Sequence, residues 1–136
     1  MLARRARTRL KAKLIYTGIR VKDLDKSIEF YTKILGMKLT GRSKIEATGG
    51  ETAGLVSEDG GHLLELNYYP KGSKFQTTYA PGEGLDHLAF QVEDLKKALA
   101  EAERAGYPAV LDMKTKTSRW TYIKDPNGIY IELFGK

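Results

Sequence analysis

Four side chains able to bind a metal ion occupy equivalent positions in two related stretches of the chain. Tyr16 corresponds to His87 at an offset of 71 residues, and Glu65 corresponds to Glu132 at an offset of 67 residues. One imidazole and two carboxylates form a plausible ligand set for Zn, Ni, Co or Mn. If the four positions converge, they predict a divalent-metal site.

Alternation along four extended segments explains how these side chains share a face. In a strand, successive side chains point to opposite faces. One parity is apolar and is expected to cover the helices: Ile19 and Val21; Leu64 and Leu66; Leu88, Phe90 and Val92; Ile129, Ile131 and Leu133. The other parity carries Tyr16, Gly18 and Arg20; Glu65 and Asn67; His87, Ala89 and Gln91; Tyr130, Glu132 and Phe134. The alternative is that this polar face simply meets water. His62 has the wrong parity and is interpreted as a surface histidine.

The elements that must position these residues form a duplicated unit. Residues 16–28 align with 87–99, and residues 60–66 align with 127–133. Each half reads as strand, helix and further strands, a β-α-β-β-β order with Asp23 and Asp94 as helix N-caps and Gly36 ending the first helix. The halves, about 14–66 and 85–134, are joined by an aromatic loop and are expected to pack as one α+β domain or to exchange between subunits.

The net charge is confined to one end of the chain. The 136 residues carry 23 Lys and Arg against 17 Asp and Glu, a formal charge of +6. Six of the basic residues lie in residues 1–13, which contain no acid, so residues 14–136 are formally neutral. We interpret 1–13 as a basic N-terminal extension, solvated or packed on a partner subunit, and 14–136 as a single domain. Nucleic acid is therefore not the expected partner.

Composition excludes several other classes of function. The chain has no cysteine, which excludes a disulfide framework, a thiolate zinc site and a cysteine nucleophile and fits a reducing, cytoplasmic location. Its apolar runs are far shorter than the roughly 20 residues of a membrane span, so no membrane association is expected.

Four segments together carry a family resemblance. They are IRVKDLDKSIEFYTKILGMKL (19–39), LLELNY (63–68), GLDHLAFQVEDL (84–95) and YIKDPNGIYIELF (122–134). In this combination the chain resembles the vicinal oxygen chelate superfamily, and within it the glyoxalase I branch. The resemblance implies paired βαβββ modules around a cleft that holds one divalent ion, often completed by a homodimer. Whether Glu65 and His87 meet within one chain or across two remains open.

By position, the resemblance assigns Glu65, His87 and Glu132 to the second, third and fourth metal ligands. Tyr16 stands at the first position, which is His or Gln in the family. A phenol ligates only when the metal deprotonates it, so Tyr16 is expected to leave that position to a water or substrate oxygen and to donate a hydrogen bond.

The reaction implied by the resemblance isomerises a thiol–2-oxoaldehyde hemithioacetal to a 2-hydroxyacyl thioester. Glu132 is the expected base and Glu65 the second choice. Arg20 matches a thiol-binding arginine of the family, or else pairs with a glutamate. Tyr69 stands where the family has a glutathione-binding asparagine. Trp120 either lines the substrate pocket or packs in the core.

Three other functions remain open. A metal-free protein of the bleomycin-resistance type would bind a small aromatic or amphipathic compound in the same cleft. An acyl-CoA epimerase would resemble the chain less, because that branch uses two histidines where this sequence has only His87. An interaction protein would use the basic extension on nucleic acid.

Overall fold

The computed structural model describes residues 11, 13–73, 75, 76, 80–114, 116, 117 and 119–136, without the side chain of Trp120. Most of the predicted basic extension lies outside these residues. The division into an extension 1–13 and a domain 14–136 therefore stays a prediction. No helix in the described ranges is long and apolar enough to cross a membrane.

Two four-stranded sheets with few helices confirm the predicted α+β architecture. The first half contains β1 (Tyr16–Arg20), α1 (Leu24–Glu29), a π-helical turn (Phe30–Ile34), β2 (Lys38–Ile45), β3 (Gly50–Ser57) and β4 (Gly60–Tyr68). The second half contains β5 (His87–Gln91), α2 (Leu95–Arg104), β6 (Leu111–Lys114), β7 (Arg119–Lys124) and β8 (Tyr130–Phe134). The strand orders are β1-β4-β3-β2 and β5-β8-β7-β6, so the two βαβββ modules have the same topology.

Both helices begin where their capping residues predict. The Asp23 side chain accepts a hydrogen bond from the backbone N–H of Lys26, and Asp94 accepts one from Lys97, each at 3.0 Å. These bonds satisfy N–H groups that the first helical turn leaves without a partner. Gly36 has φ +71°, the left-handed conformation that suits the residue after a helix.

The alternation of apolar and polar residues did not indicate the positions of the outer strands β2 and β6. Every residue of both strands is exposed. A strand without a buried face has no reason to alternate apolar and polar residues, so it leaves no period-2 signal. The first helix also differs, because its last turn, from Phe30 to Ile34, is π-helical rather than α-helical.

The apolar parity of the inner strands forms the core. Ile19, Leu64 and Leu66 are buried in the first sheet, Ile131 and Leu133 are buried in the second, and Ile129 is buried directly before β8. Leu88, Phe90 and Val92 are half-buried against the same cluster. The predicted sorting of faces is therefore confirmed, and the opposite faces of both sheets are left for other contacts.

A buried polar network joins the modules at the turn before β8. The Asp125 carboxylate accepts hydrogen bonds from the Tyr31 hydroxyl on the first module (2.9 Å) and from the backbone N–H of Ile129 (2.8 Å). The Asn127 amide donates to Asp125 (2.8 Å) and to the Ser27 hydroxyl (3.1 Å). All four side chains that form the network are buried, so the network ties α1 and the π-helical turn to the start of β8.

Replacing Tyr31 with Phe tests this connection. The substitution removes the hydroxyl that donates a hydrogen bond to the Asp125 carboxylate and leaves the aromatic ring in place. We therefore expect the free energy of unfolding to fall by about 1–2 kcal/mol. Urea denaturation measures the change, with Tyr130→Phe, which removes the hydroxyl of a 40% exposed tyrosine, as control. Equal stabilities for the two variants would contradict a stabilising role of the network.

Candidate metal and substrate site

The first sheet carries one pair of the candidate ligands. β1 and β4 are parallel, and Gly18 lies beside Glu65 in their register, which places Tyr16 and Glu65 on the same face one diagonal step apart. Tyr16 is 44% exposed and Glu65 is half-buried. A Cβ at Gly18 would lie only 3.0 Å from the Asn67 amide nitrogen, so Asn67 occupies the space next to this glycine.

The second sheet carries the other pair, and here the two side chains touch. His87 lies on β5 and Glu132 on β8, which are parallel neighbours. The distance from His87 Nε2 to Glu132 Oε2 is 3.2 Å. The Glu132 side chain is 16% exposed and the His87 side chain 33% exposed, so the pair is partly accessible to solvent.

Asp86 orients the imidazole from its other nitrogen. His87 Nδ1 lies 2.6 Å from Asp86 Oδ1. This hydrogen bond is the main reason that the pKa of His87 is raised, with smaller contributions from the charges of Asp86 and Glu132. Because the Asp86 side chain is 96% exposed, solvent screens much of its charge. The arrangement presents Nε2 toward Glu132.

Asp86→Asn is expected to lower the pKa of His87 toward its ordinary value, because the substitution removes the dominant hydrogen-bonding charge. The protonated imidazole stabilises the fold below pH of about 6.5, and that stabilisation is lost as pH rises through the folded-state pKa. NMR titration of the imidazole in metal-free protein measures the shift. Glu103→Gln, at an exposed position of α2, is the matched control, and an unchanged pKa in Asp86→Asn would contradict the role of Asp86.

An apolar cavity adjoins this second pair. Its volume is 430 Å³, and its walls are formed by Asp86, Leu111, Met113, Tyr122 and Tyr130. The Tyr122 ring meets the His87 ring edge-on, with centroids 5.5 Å apart. Burial raises the pKa of Tyr122, and the charges of Glu132 and Asp86 add to the effect, which keeps the phenol protonated.

Asp86 and Tyr122 were missed by the sequence reasoning, although each left a signal. Asp86 directly precedes His87 in the chain. Tyr122 shares the polar parity of β7 between buried Thr121 and Ile123, and it lies beside Glu132 in the strand register.

Arg20 and Tyr69 lie together at one end of the first sheet. The Arg20 guanidinium stacks on the Tyr69 ring at 4.4 Å and also donates to the carbonyl of Phe75. Tyr69 and Phe75 pack with ring centroids 5.7 Å apart. A cavity of 230 Å³ lies there, lined by Arg20, Val21, Lys22, Tyr68, Tyr69, Lys71 and Gln76. Three cationic side chains line this cavity, which suits an anionic group.

The remaining two predicted positions lie elsewhere. Trp120 is beside Met113 in the register of β7 and β6, and its side chain lies outside the described residues. His62 Nε2 lies 2.8 Å from the Thr17 hydroxyl on the helix side of the first sheet, away from the polar face.

The candidate metal ligands have the chemistry that a divalent ion requires, but they lie in two separate half-sites. His87 and Glu132 supply an adjacent imidazole and carboxylate, while Glu65 and Tyr16 stand on a different sheet. Within the part of the chain that the structure describes, no three His, Cys, Asp or Glu residues form a group able to hold a metal ion. The donor chemistry suits a divalent ion, but one chain brings only half of the set together.

Comparison with known proteins identifies the family. The model of the Glyoxalase/Bleomycin resistance protein/Dioxygenase superfamily matches residues 13–133. The chain belongs to this superfamily. It is also similar to a probable lactoylglutathione lyase of Vibrio parahaemolyticus, with 32% identity over 126 residues that cover 89% of this chain and 88% of the relative.

A second relative and two solved structures extend the comparison. A lactoylglutathione lyase of Neisseria meningitidis is 32% identical over 130 residues, covering 91% of each chain. The trypanothione-dependent glyoxalase I of Leishmania major has a TM-score of 0.71 and 31% identity, covering 92% of this chain and 87% of its own. A glyoxalase family protein from Bacillus cereus has a TM-score of 0.75 and 26% identity, covering 94% and 98%. Together these similarities support a glyoxalase I-like enzyme with a small-molecule substrate.

Proposed function

We propose that the protein is a metal-dependent lyase of the glyoxalase I type, which converts a thiol–2-oxoaldehyde hemithioacetal into a 2-hydroxyacyl thioester. The observation that carries the proposal is the contact between His87 and Glu132 on the polar face of the second sheet, with Glu65 at the equivalent position of the first. The relatives named lactoylglutathione lyase support the reaction class.

The complete site is proposed to form between two chains. In one chain the His87–Glu132 pair and Glu65 belong to separate sheets, and neither pair alone offers a metal enough ligands. A symmetric homodimer that faces the first sheet of one chain with the second sheet of its partner would assemble two complete sites. Exposed apolar side chains near the second pair, among them Met113 (51%) and Phe134 (58%), support burial of this face in a dimer.

Glu65, His87 and Glu132 would hold the divalent ion, which is Ni, Zn, Co or Mn. When bound, it would supply positive charge that stabilises the developing negative charge on the substrate oxygens. Tyr16 would donate a hydrogen bond to a water or substrate oxygen at the first ligand position. In the metal-bound state His87 must be neutral, so metal uptake competes with the proton that Asp86 helps to hold.

Glu132 is the proposed base. It removes the proton from the carbon that bears sulfur and hydroxyl, and returns it to the neighbouring carbonyl carbon. In the net isomerisation the hydroxyl proton also passes to the former carbonyl oxygen, so one C–H and one O–H bond break, one C–H and one O–H bond form, and no electrons leave the substrate. The low exposure of Glu132 limits exchange of the abstracted proton with water. Glu65 is the alternative base.

The cavity at Arg20 and Tyr69 is proposed to receive the thiol end of the substrate. Its three cations, Arg20, Lys22 and Lys71, favour a thiol with an anionic group. The side chain of the oxoaldehyde would then lie toward the apolar cavity at Leu111 and Met113, and Trp120 is proposed to border the same space.

Thioester formation from a methylglyoxal–glutathione hemithioacetal tests the proposal. Protein reconstituted separately with Ni, Co, Zn or Mn is expected to form thioester with at least one metal, and hemithioacetals of other thiols then identify the preferred substrate. Glu103→Gln serves as control for handling and metal loading. Failure of every metal form to produce thioester from any hemithioacetal would contradict the proposal.

The second candidate function is a metal-free binding protein. It is favoured by the apolar cavity beside Tyr122 and Tyr130, which suits an aromatic or amphipathic compound. Metal affinity separates the two candidates, because this function requires none.

A further inference from the structure

A groove between the two modules has a surface chemistry that the proposed reaction does not use. It has a volume of 630 Å³, within the range of ligand-binding cavities. Its walls come from the end of the first helical segment, the turn between β3 and β4, the β1–β4 pair and the length of β5. None of the candidate site residues lines it. A separate binding role for this groove is therefore compatible with the proposed function.

The groove combines an apolar floor with an acidic rim. Leu64, Leu88 and Phe90 are buried or half-buried and form part of the floor. Glu58, Asp59 and Glu93 form the acidic part of the rim and are exposed. Among the described residues that line the groove there is no Lys or Arg. These features suit an occupant that carries both positive charge and apolar side chains.

The N-terminal segment of the chain has this complementary composition. Residues 1–13 contain six basic side chains, no acid, and the apolar residues Leu2 and Leu10. The described chain enters the fold beside the groove, because Thr17 lines the groove and contacts His62, which also lines it. Leu14 and Ile15, which connect the segment to β1, are 75% and 69% exposed.

We propose that this groove is the docking site for residues 1–10 of the chain's own basic segment. The tether gives the segment a high effective concentration at the groove, which compensates for the weak attraction between exposed charges. The docked segment would cover apolar floor residues and neutralise the acidic rim.

Disulfide trapping in the 136-residue chain tests the proposal, since this sequence has no cysteine. In Ala6→Cys/Ser57→Cys the second thiol lies in the groove, and in the matched control Ala6→Cys/Thr40→Cys it lies on exposed β2. A freely moving segment of ten residues has a mean reach of about 18 Å. β2 is three strand spacings of about 4.8 Å from β1, and Leu39, next to Thr40, is level with Thr17 in the strand register, so such a segment would reach both thiols.

Docking is expected to make the intramolecular disulfide at Ser57→Cys form at least about tenfold faster than at Thr40→Cys. Replacing Arg4, Arg5, Arg7 and Arg9 with Gln is expected to bring the two rates together. Raising the ionic strength to about 1 M, where the Debye length is about 3 Å, is expected to have the same effect. Non-reducing electrophoresis and mass spectrometry measure both rates.

Two results would overturn the proposal. Equal rates at the two positions in the otherwise unaltered chain would show that the segment has no preference for the groove. A covalent dimer as the main product would show that the groove is covered by the segment of another chain. Neither result depends on thioester formation, so the test is independent of the proposed catalytic function.

Discussion

Replacing Glu132 with Gln is expected to lower kcat by about 10²–10⁴-fold, the range that a positioned general base contributes. The amide cannot accept the substrate proton, yet it has nearly the same shape as the carboxylate and retains an oxygen for contact with His87. The fold should therefore survive. Steady-state kinetics of thioester formation measure the loss, and circular dichroism with thermal unfolding checks the structure.

The matched controls for this variant separate the two carboxylates of the site from ordinary surface carboxylates. Glu103→Gln should retain full activity, since Glu103 is exposed on α2. Glu65→Gln should weaken metal binding as well as turnover. Full activity in Glu132→Gln would contradict its assignment as base, and if Glu65→Gln alone lost turnover with its metal retained, Glu65 would be the base.

Removing the metal is expected to abolish activity, because the carbonyl substrate would lose the positive charge that stabilises its deprotonated form. Protein treated with a chelator and then freed of it should form no measurable thioester, while far-UV circular dichroism stays unchanged because the core contains none of the proposed ligands. Adding back Ni, Co, Zn or Mn should restore turnover. Full activity in protein shown by elemental analysis to be metal-free would exclude metal dependence and direct attention to the binding function.

The inner strands and helix starts were predictable because packing leaves a local pattern. Leu64 and Leu66 alternate with Glu65 because one face of β4 is buried and the other is not. Asp23 and Asp94 cap helices through hydrogen bonds only three residues away. The relation between two halves was visible as well, since both repeat the same order of elements.

Other features depend on contacts that no local pattern encodes. β2 and β6 have no buried face and hence no alternation. The Tyr31–Asp125 hydrogen bond joins residues 94 positions apart. The separation of Glu65 from His87 depends on how the two sheets are placed in space, which the repeat in the sequence does not determine.

The structure also alters the interpretation of the net positive charge near the N-terminus. The net charge of +6 alone would favour a nucleic-acid partner, whereas the neutral remainder of the chain argues against one. The acidic rim beside the start of β1 offers the basic residues a partner within the same chain. The fold thereby makes a specific prediction for a segment that composition alone leaves unexplained.

The shared-site dimer is tested most directly by mixing two inactive variants. Glu65→Gln disables the first-sheet half-site, and Glu132→Gln disables the second-sheet half-site. When the two chains are unfolded together and refolded in equal amounts, half of the dimers should be mixed, and each mixed dimer contains one intact site. We predict recovery of about a quarter of wild-type activity from two preparations that are each inactive alone. Activity no greater than that of the separate variants, in a mixture shown by native mass spectrometry to contain mixed dimers, would contradict a site shared between chains.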